Sequence, residues 1–146
     1  MPGRYLLLTT GGTITSNEGP EGLTPAPDDE SLRPVLGSLA IHYDISIRSI
    51  LNLDSSNIQP EEWQLIARSI DAVRDAYDGI VVTHGTDTMA YTAAMLSYML
   101  RNIKIPVVLT GSQLPIYNPL SDAYGNLRCA FAMAASGIGG VFVAFD

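Results

Sequence analysis

The chain has 146 residues, of which 47% are hydrophobic and 16% charged, and a formal charge of −7. That length fits one domain with a sizeable core, and the composition is that of a soluble globular chain. The eight Lys and Arg residues are scattered, which argues against nucleic acid as a partner; no run reaches transmembrane length and no signal-peptide pattern opens the chain, so a cytoplasmic protein with no membrane partner is expected.

In chain order, Tyr5-Leu6-Leu7-Leu8-Thr9-Thr10 is a continuous apolar run closed by Gly11 and Gly12, as suits a strand buried on both faces of a parallel sheet. The stretch from Thr15 to Asp29 contains Gly19-Pro20, Gly22, Pro25 and Pro27. It reads as a long connection without secondary structure, either a lid over a site or a plain surface loop. A second strand is expected within Tyr43 to Leu51, with the mixed alternation of a sheet edge. Pro60-Glu61-Glu62 opens a helix, with proline at the first position and acid in the first turn, and its apolar face carries Trp63, Ile66, Ile70 and Val73. Gly79 to Thr83 is the third strand. Met89 to Arg101 forms a helix that is apolar on nearly all sides and is therefore expected to be largely buried. Pro106 to Thr110, a helix over Tyr124 to Ser136, and a strand over Gly140 to Phe145 complete the series. Cys129, the single cysteine, fits a reducing compartment and is expected to pack as a small core residue.

Strand and helix alternation of this kind predicts an α/β domain: a doubly wound, mainly parallel sheet flanked by helices, in the flavodoxin-like order 2-1-3-4-5. The loops after the strands then emerge on one edge, with the crevice between strands one and three. Topology gathers there Thr13, the loop Asp54-Ser55-Ser56-Asn57, the loop His84-Gly85-Thr86-Asp87-Thr88, and Gly111-Ser112-Gln113.

These residue types point to acyl transfer at an amide. Thr13 is a candidate nucleophile that needs a proton acceptor; the competing reading is a threonine satisfying a turn. Thr86 and Asp87 stand where a helix begins, which suits either capping or a site. Asp87 is the best-placed partner for a substrate ammonium. Ser55 and Ser56 are suited to holding a carboxylate through hydroxyl and backbone N–H donation. His84 is either a base or a structural residue. Lys104, the only lysine, precedes a strand while the candidate loops follow theirs, so it is expected on the order of 17 Å or more from Thr86. One cysteine and two separated histidines make no metal constellation.

Thr10-Gly11-Gly12-Thr13-Ile14 and His84-Gly85-Thr86-Asp87-Thr88-Met89 resemble the two signatures of the bacterial-type L-asparaginases, close to the type I cytoplasmic branch. Asp54-Ser55-Ser56-Asn57, Gly111-Ser112-Gln113-Leu114-Pro115 and Val143-Ala144-Phe145-Asp146 match in the same order. The resemblance covers residues 1–146 as the family's N-terminal domain. It implies hydrolysis of L-asparagine to L-aspartate and ammonia through an acyl-threonine, without cofactor or metal, in a homo-oligomer. It also implies roles: Thr13 as nucleophile, Thr86 and Asp87 in a Thr-Lys-Asp relay, and backbone N–H groups near Thr13 and Thr86 holding the oxyanion. Gly12, Asp54, Ser55, Ser56, Thr86, Asp87 and Ser112 would bind substrate, Ser55 taking the α-carboxylate and Asp87 the amino group. The family's smaller C-terminal domain is not in this sequence, and the relay lysine would follow Asp146, so impaired turnover is expected of these residues alone. Leu23 stands where many members carry a lid tyrosine. Two other readings remain: a module that binds an amino acid or pairs with another subunit without turnover, and the amidase subunit of a tRNA-dependent amidotransferase.

Overall fold

A computed structural model describes residues 3–19, 22–25 and 32–146. In order they form β1 (Arg4–Thr9), β2 (Ser16–Gly19), β3 (Gly22–Pro25), α1 (Arg33–Leu39), β4 (Asp44–Ser49), α2 (Pro60–Asp71), β5 (Gly79–Thr83), α3 (Met89–Met99), β6 (Pro106–Thr110), α4 (Ala123–Ala134) and β7 (Gly140–Val143). The main sheet has five strands in the order β4-β1-β5-β6-β7, and each neighbouring pair is parallel. This is the 2-1-3-4-5 order expected from the alternation.

Strand periodicity divides the core. Leu6, Leu8, Ile80, Val82, Val107 and Leu109 face one side with Ile66 and Ile70 of α2 and Met89 and Leu96 of α3. Leu7, Val81 and Val108 face the other side with Leu36 and Leu39 of α1 and Leu127, Ala130 and Phe131 of α4. β1, β5 and β6 are buried on both faces and flanked on each side, which is why they read as unbroken apolar runs. α2 starts at Pro60, and the Gln59 N–H donates to Glu62 Oε2 at 2.7 Å, a cap across the first turn.

Three expectations need correction, and one helix is additional to those expected. Residues Ser16–Gly19 and Gly22–Pro25 form an antiparallel ribbon in which Leu23 pairs with Glu18, so the segment after Thr13 has secondary structure of its own; the remainder of that stretch, through Asp29, lies outside the described residues. Helix α1 had no counterpart in the reading of the chain, although Leu32, Leu36 and Leu39 are buried at helical spacing. Helix α3 is only half buried: Thr92 and Leu96 face the sheet, while Tyr91 and Tyr98 are exposed at 66% and 76%. Its apolar composition misled because a helix layered on a sheet has one buried stripe whatever its other faces carry. Cys129 is exposed; the buried stripe of α4 runs through Asn126, Leu127, Ala130 and Phe131, which turns position 129 outward.

Candidate active site

The loops after β1, β4 and β5 converge because glycine lets backbones touch. Gly12 has φ 93°, and a side chain there would place Cβ 2.6 Å from the Gly85 nitrogen. A Cβ on Gly85 would lie 2.6 Å from Ser55 Oγ. Three loops are thereby stacked, and hydrogen bonds sew them together. The Leu53 N–H donates to Thr10 O at 3.0 Å, Thr10 Oγ1 donates to Thr83 O at 2.7 Å, and Thr88 Oγ1 donates to Ser55 O at 2.8 Å.

Between these loops lies a cavity of about 170 Å³ lined by Gly12, Thr13, Ser16, Asp54, Ser55, Gly85, Thr86 and Asp87. That is below the roughly 300–1,000 Å³ of drug-sized sites and suits a single small metabolite. Six of the expected residues meet there: Gly12, Thr13, Asp54, Ser55, Thr86 and Asp87. Ser56 and Ser112 do not line it. The Ser56 hydroxyl and N–H both donate to Asp54 Oδ1, at 2.9 and 3.0 Å, forming a cap on the turn Ser55–Asn57. Ser112 Oγ donates to Leu114 O within its own loop. That loop is held by Asp122, whose carboxylate accepts from the Gln113 and Leu114 N–H groups. Although burial works to raise its pKa, these bonds and Asn126 hold it below the usual carboxylate range.

Ser16 is a lining residue that the sequence pattern did not place at the crevice, and Gly85 was placed there only as part of its loop. Ser16 is brought back by the 3-10 turn Thr13–Thr15, and its Oγ donates to Gly12 O at 2.7 Å. A hydroxyl four residues beyond a glycine was the available signal.

His84 is 1% exposed, with both ring nitrogens engaged. Nδ1 lies 2.6 Å from Gly85 O; a carbonyl only accepts, so Nδ1 carries the proton. Nε2 lies 2.8 Å from Thr92 Oγ1, which itself accepts from Trp63 Nε1 at 2.8 Å. The chain therefore runs from indole N–H to Thr92, from the Thr92 O–H to bare Nε2, and from Nδ1–H to Gly85 O. Burial lowers the His84 pKa, and the bond to Gly85 only partly offsets this. A weakly basic ring without a free nitrogen is no base for Thr13. Thr92→Val leaves two buried partners unpaired, at about 1–3 kcal/mol each; denaturant unfolding is expected to show a loss of about 2–5 kcal/mol, with Thr92→Ser close to the parent.

Lys104 lies before β6, beside Arg74, Asp75, Ile103 and Ile105, at the edge of the sheet opposite the cavity, as its place before a strand required. Among the described residues no group of His, Cys, Asp and Glu is arranged to hold a metal, and no helix is long and apolar enough to cross a membrane.

The family model described as asparaginase, N-terminal, matches residues 4–146. The chain belongs to the asparaginase family. This asparaginase domain is 50% identical over 143 residues to the L-asparaginase of Thermococcus kodakarensis, covering 97% of this chain and 44% of that protein. It superposes on the solved thermostable L-asparaginase of that organism with a TM-score of 0.87 at 49% identity, covering 97% of this chain and 44% of that one. It is also 42% identical over 140 residues to a glutamyl-tRNA(Gln) amidotransferase subunit from the same organism, covering 94% of this chain and 32% of that protein. The asparaginase domain thus spans less than half the length of each of these relatives.

Proposed function

We propose that this asparaginase domain supplies the nucleophile and most substrate contacts for hydrolysis of L-asparagine to L-aspartate and ammonia. The observation that carries the reading is the convergence of Thr13, Ser55, Thr86 and Asp87 on one small polar cavity. Thr13 Oγ1 adds to the side-chain amide carbon, forming a C–O bond and an oxyanion. Collapse breaks the C–N bond, and the proton lost by Thr13 leaves on ammonia. Water then cleaves the acyl-threonine ester, releasing L-aspartate and restoring the hydroxyl. Asp87, exposed at the mouth of the cavity, pairs with the substrate ammonium; Ser55 binds the α-carboxylate; Asp54 closes the wall beside it.

His84 and Lys104 are unsuited to take the Thr13 proton, and membership of the asparaginase family implies a lysine following Asp146 for that task, relayed through Thr86. The reading further assigns a cytoplasmic setting and assembly of more than one copy. The test is ammonia release from L-asparagine by the purified chain and by a chain extended beyond Asp146. Turnover confined to the extended chain is the expected result; equal turnover by the short chain would refute the external lysine. The 42% identity to an amidotransferase subunit supports a second reading, as an amidase acting on glutamine. A kcat/KM for L-glutamine above that for L-asparagine would favour it.

A further inference from the structure

The two loops that meet at the cavity share a local design: in each, a glycine precedes a threonine, at Gly12-Thr13 and at Gly85-Thr86. Both glycines are required by the close approach of the loops. A glycine leaves its following peptide plane free to turn, because no Cβ restrains ψ. Each of these peptides is nevertheless pinned through its carbonyl. Ser16 Oγ donates to Gly12 O at 2.7 Å, and His84 Nδ1 donates to Gly85 O at 2.6 Å. In a trans peptide the N–H points opposite to the carbonyl, so each bond also aims the N–H of the threonine that follows. Among the described residues, neither the Thr13 nor the Thr86 N–H has a hydrogen-bond partner, and both residues line the cavity.

We infer that Ser16 and His84 are positioning residues: each locks a Gly-Thr peptide so that its N–H is held toward an oxyanion in the cavity. The inference rests on the asparagine-hydrolysis reading for what the two donors do, but the locking itself is independent of turnover. His84 is in turn held by Thr92 and Trp63, so helices α2 and α3 both support the orientation of one peptide at the site. Flipping either peptide would replace a donor with a carbonyl oxygen, repelling the charge that develops in acyl transfer.

The test compares Ser16→Ala and His84→Leu with Ser16→Thr and His84→Asn; threonine keeps the hydroxyl and asparagine keeps an N–H donor near the Nδ1 position. Crystal structures of this chain report the orientation of the Gly12 and Gly85 carbonyls. Kinetics in the form that hydrolyses L-asparagine report the rest. The expected result is a turned carbonyl in Ser16→Ala and His84→Leu, and a kcat lower on the order of 100-fold or more, the scale of one lost oxyanion donor, with KM within about twofold. Ser16→Thr and His84→Asn are expected to keep the carbonyls in place and recover most of kcat. Unmoved carbonyls in both Ser16→Ala and His84→Leu would overturn the inference. So would a rise in KM with kcat unchanged, or a His84→Asn variant no better than His84→Leu. If no form hydrolyses L-asparagine, the asparagine-hydrolysis reading fails by itself and the carbonyl orientations still decide the locking.

Discussion

Gly12→Ala is expected to lower stability by at least about 3 kcal/mol and to disassemble the cavity. Two independent costs add. With φ 93° and ψ −175°, position 12 occupies a region essentially reserved for glycine, worth about 1–3 kcal/mol to any other residue. The new Cβ would also sit 2.6 Å from the Gly85 nitrogen and 2.7 Å from its Cα. Those are backbone atoms, tied by His84 to Gly85 O and closed from behind by Ser55, so no side chain can turn aside to relieve the contact. The two loops must separate, and the spacing between Thr13 and Thr86 is lost with them. Thermal unfolding checks the first part, at about 2–4 °C per kcal/mol for a chain of this size. Calorimetric titration with L-aspartate checks the second, and no detectable binding is expected. Gly37 supplies the contrast: it lies in α1, and a Cβ there meets nothing within 4 Å, so Gly37→Ala is expected to stabilise by about 0.4–1 kcal/mol. A Gly12→Ala variant as stable as Gly37→Ala would show that the loops do not need this approach.

The same contrast explains what the chain made legible before its fold was known. Hydrophobic period reports which face of an element is buried, and it located the five parallel strands and the helices at 60–71, 89–99 and 123–134. Right-handed parallel topology then put the loops after β1, β4 and β5 on one edge, which suffices to bring Thr13, Ser55 and Thr86 together. Period says nothing of a partner distant in sequence. Trp63 was legible as part of an apolar stripe, yet its indole N–H donates to Thr92 on the next helix, and only the packing of α2 on α3 creates that bond. Ser16 was hidden for a related reason: the stretch after Thr13 is rich in Gly and Pro, and its pairing as β2 and β3 follows from antiparallel register rather than from apolar alternation. The exposure of Cys129 and of one side of α3 depended on what lies beside each helix, which composition does not specify.

In the form that hydrolyses L-asparagine, Thr13→Ala is expected to abolish turnover while leaving the fold intact. The Thr13 side chain is half buried, and among the described residues its hydroxyl makes no hydrogen bond. Nothing in the core depends on it, so stability should change by no more than about 0.5 kcal/mol, as for an ordinary surface site. The catalytic loss should be far larger, because removal of the nucleophile from a covalent hydrolase costs on the order of 10⁶ in kcat. The pinned peptides and the side chains of Ser55 and Asp87 are unchanged in this variant, and on the proposed reading they hold the ligand, so L-aspartate affinity should remain within about threefold of the parent, an energy near 0.7 kcal/mol. That pattern separates a nucleophile from a turn-forming threonine. A turn residue would lose stability and binding together, with kcat following; a nucleophile loses kcat alone. Thr13→Ser adds a second discrimination, since it keeps the hydroxyl and removes only a methyl group, so partial turnover is expected. Trapping decides between them directly: acid quench of the active parent during turnover should give a protein heavier by one aspartyl group, esterified at Thr13, and Thr13→Ala should give none. An adduct of that mass on another residue, or turnover that survives in Thr13→Ala, would remove Thr13 from the mechanism and leave the cavity as a binding site whose chemistry is performed elsewhere.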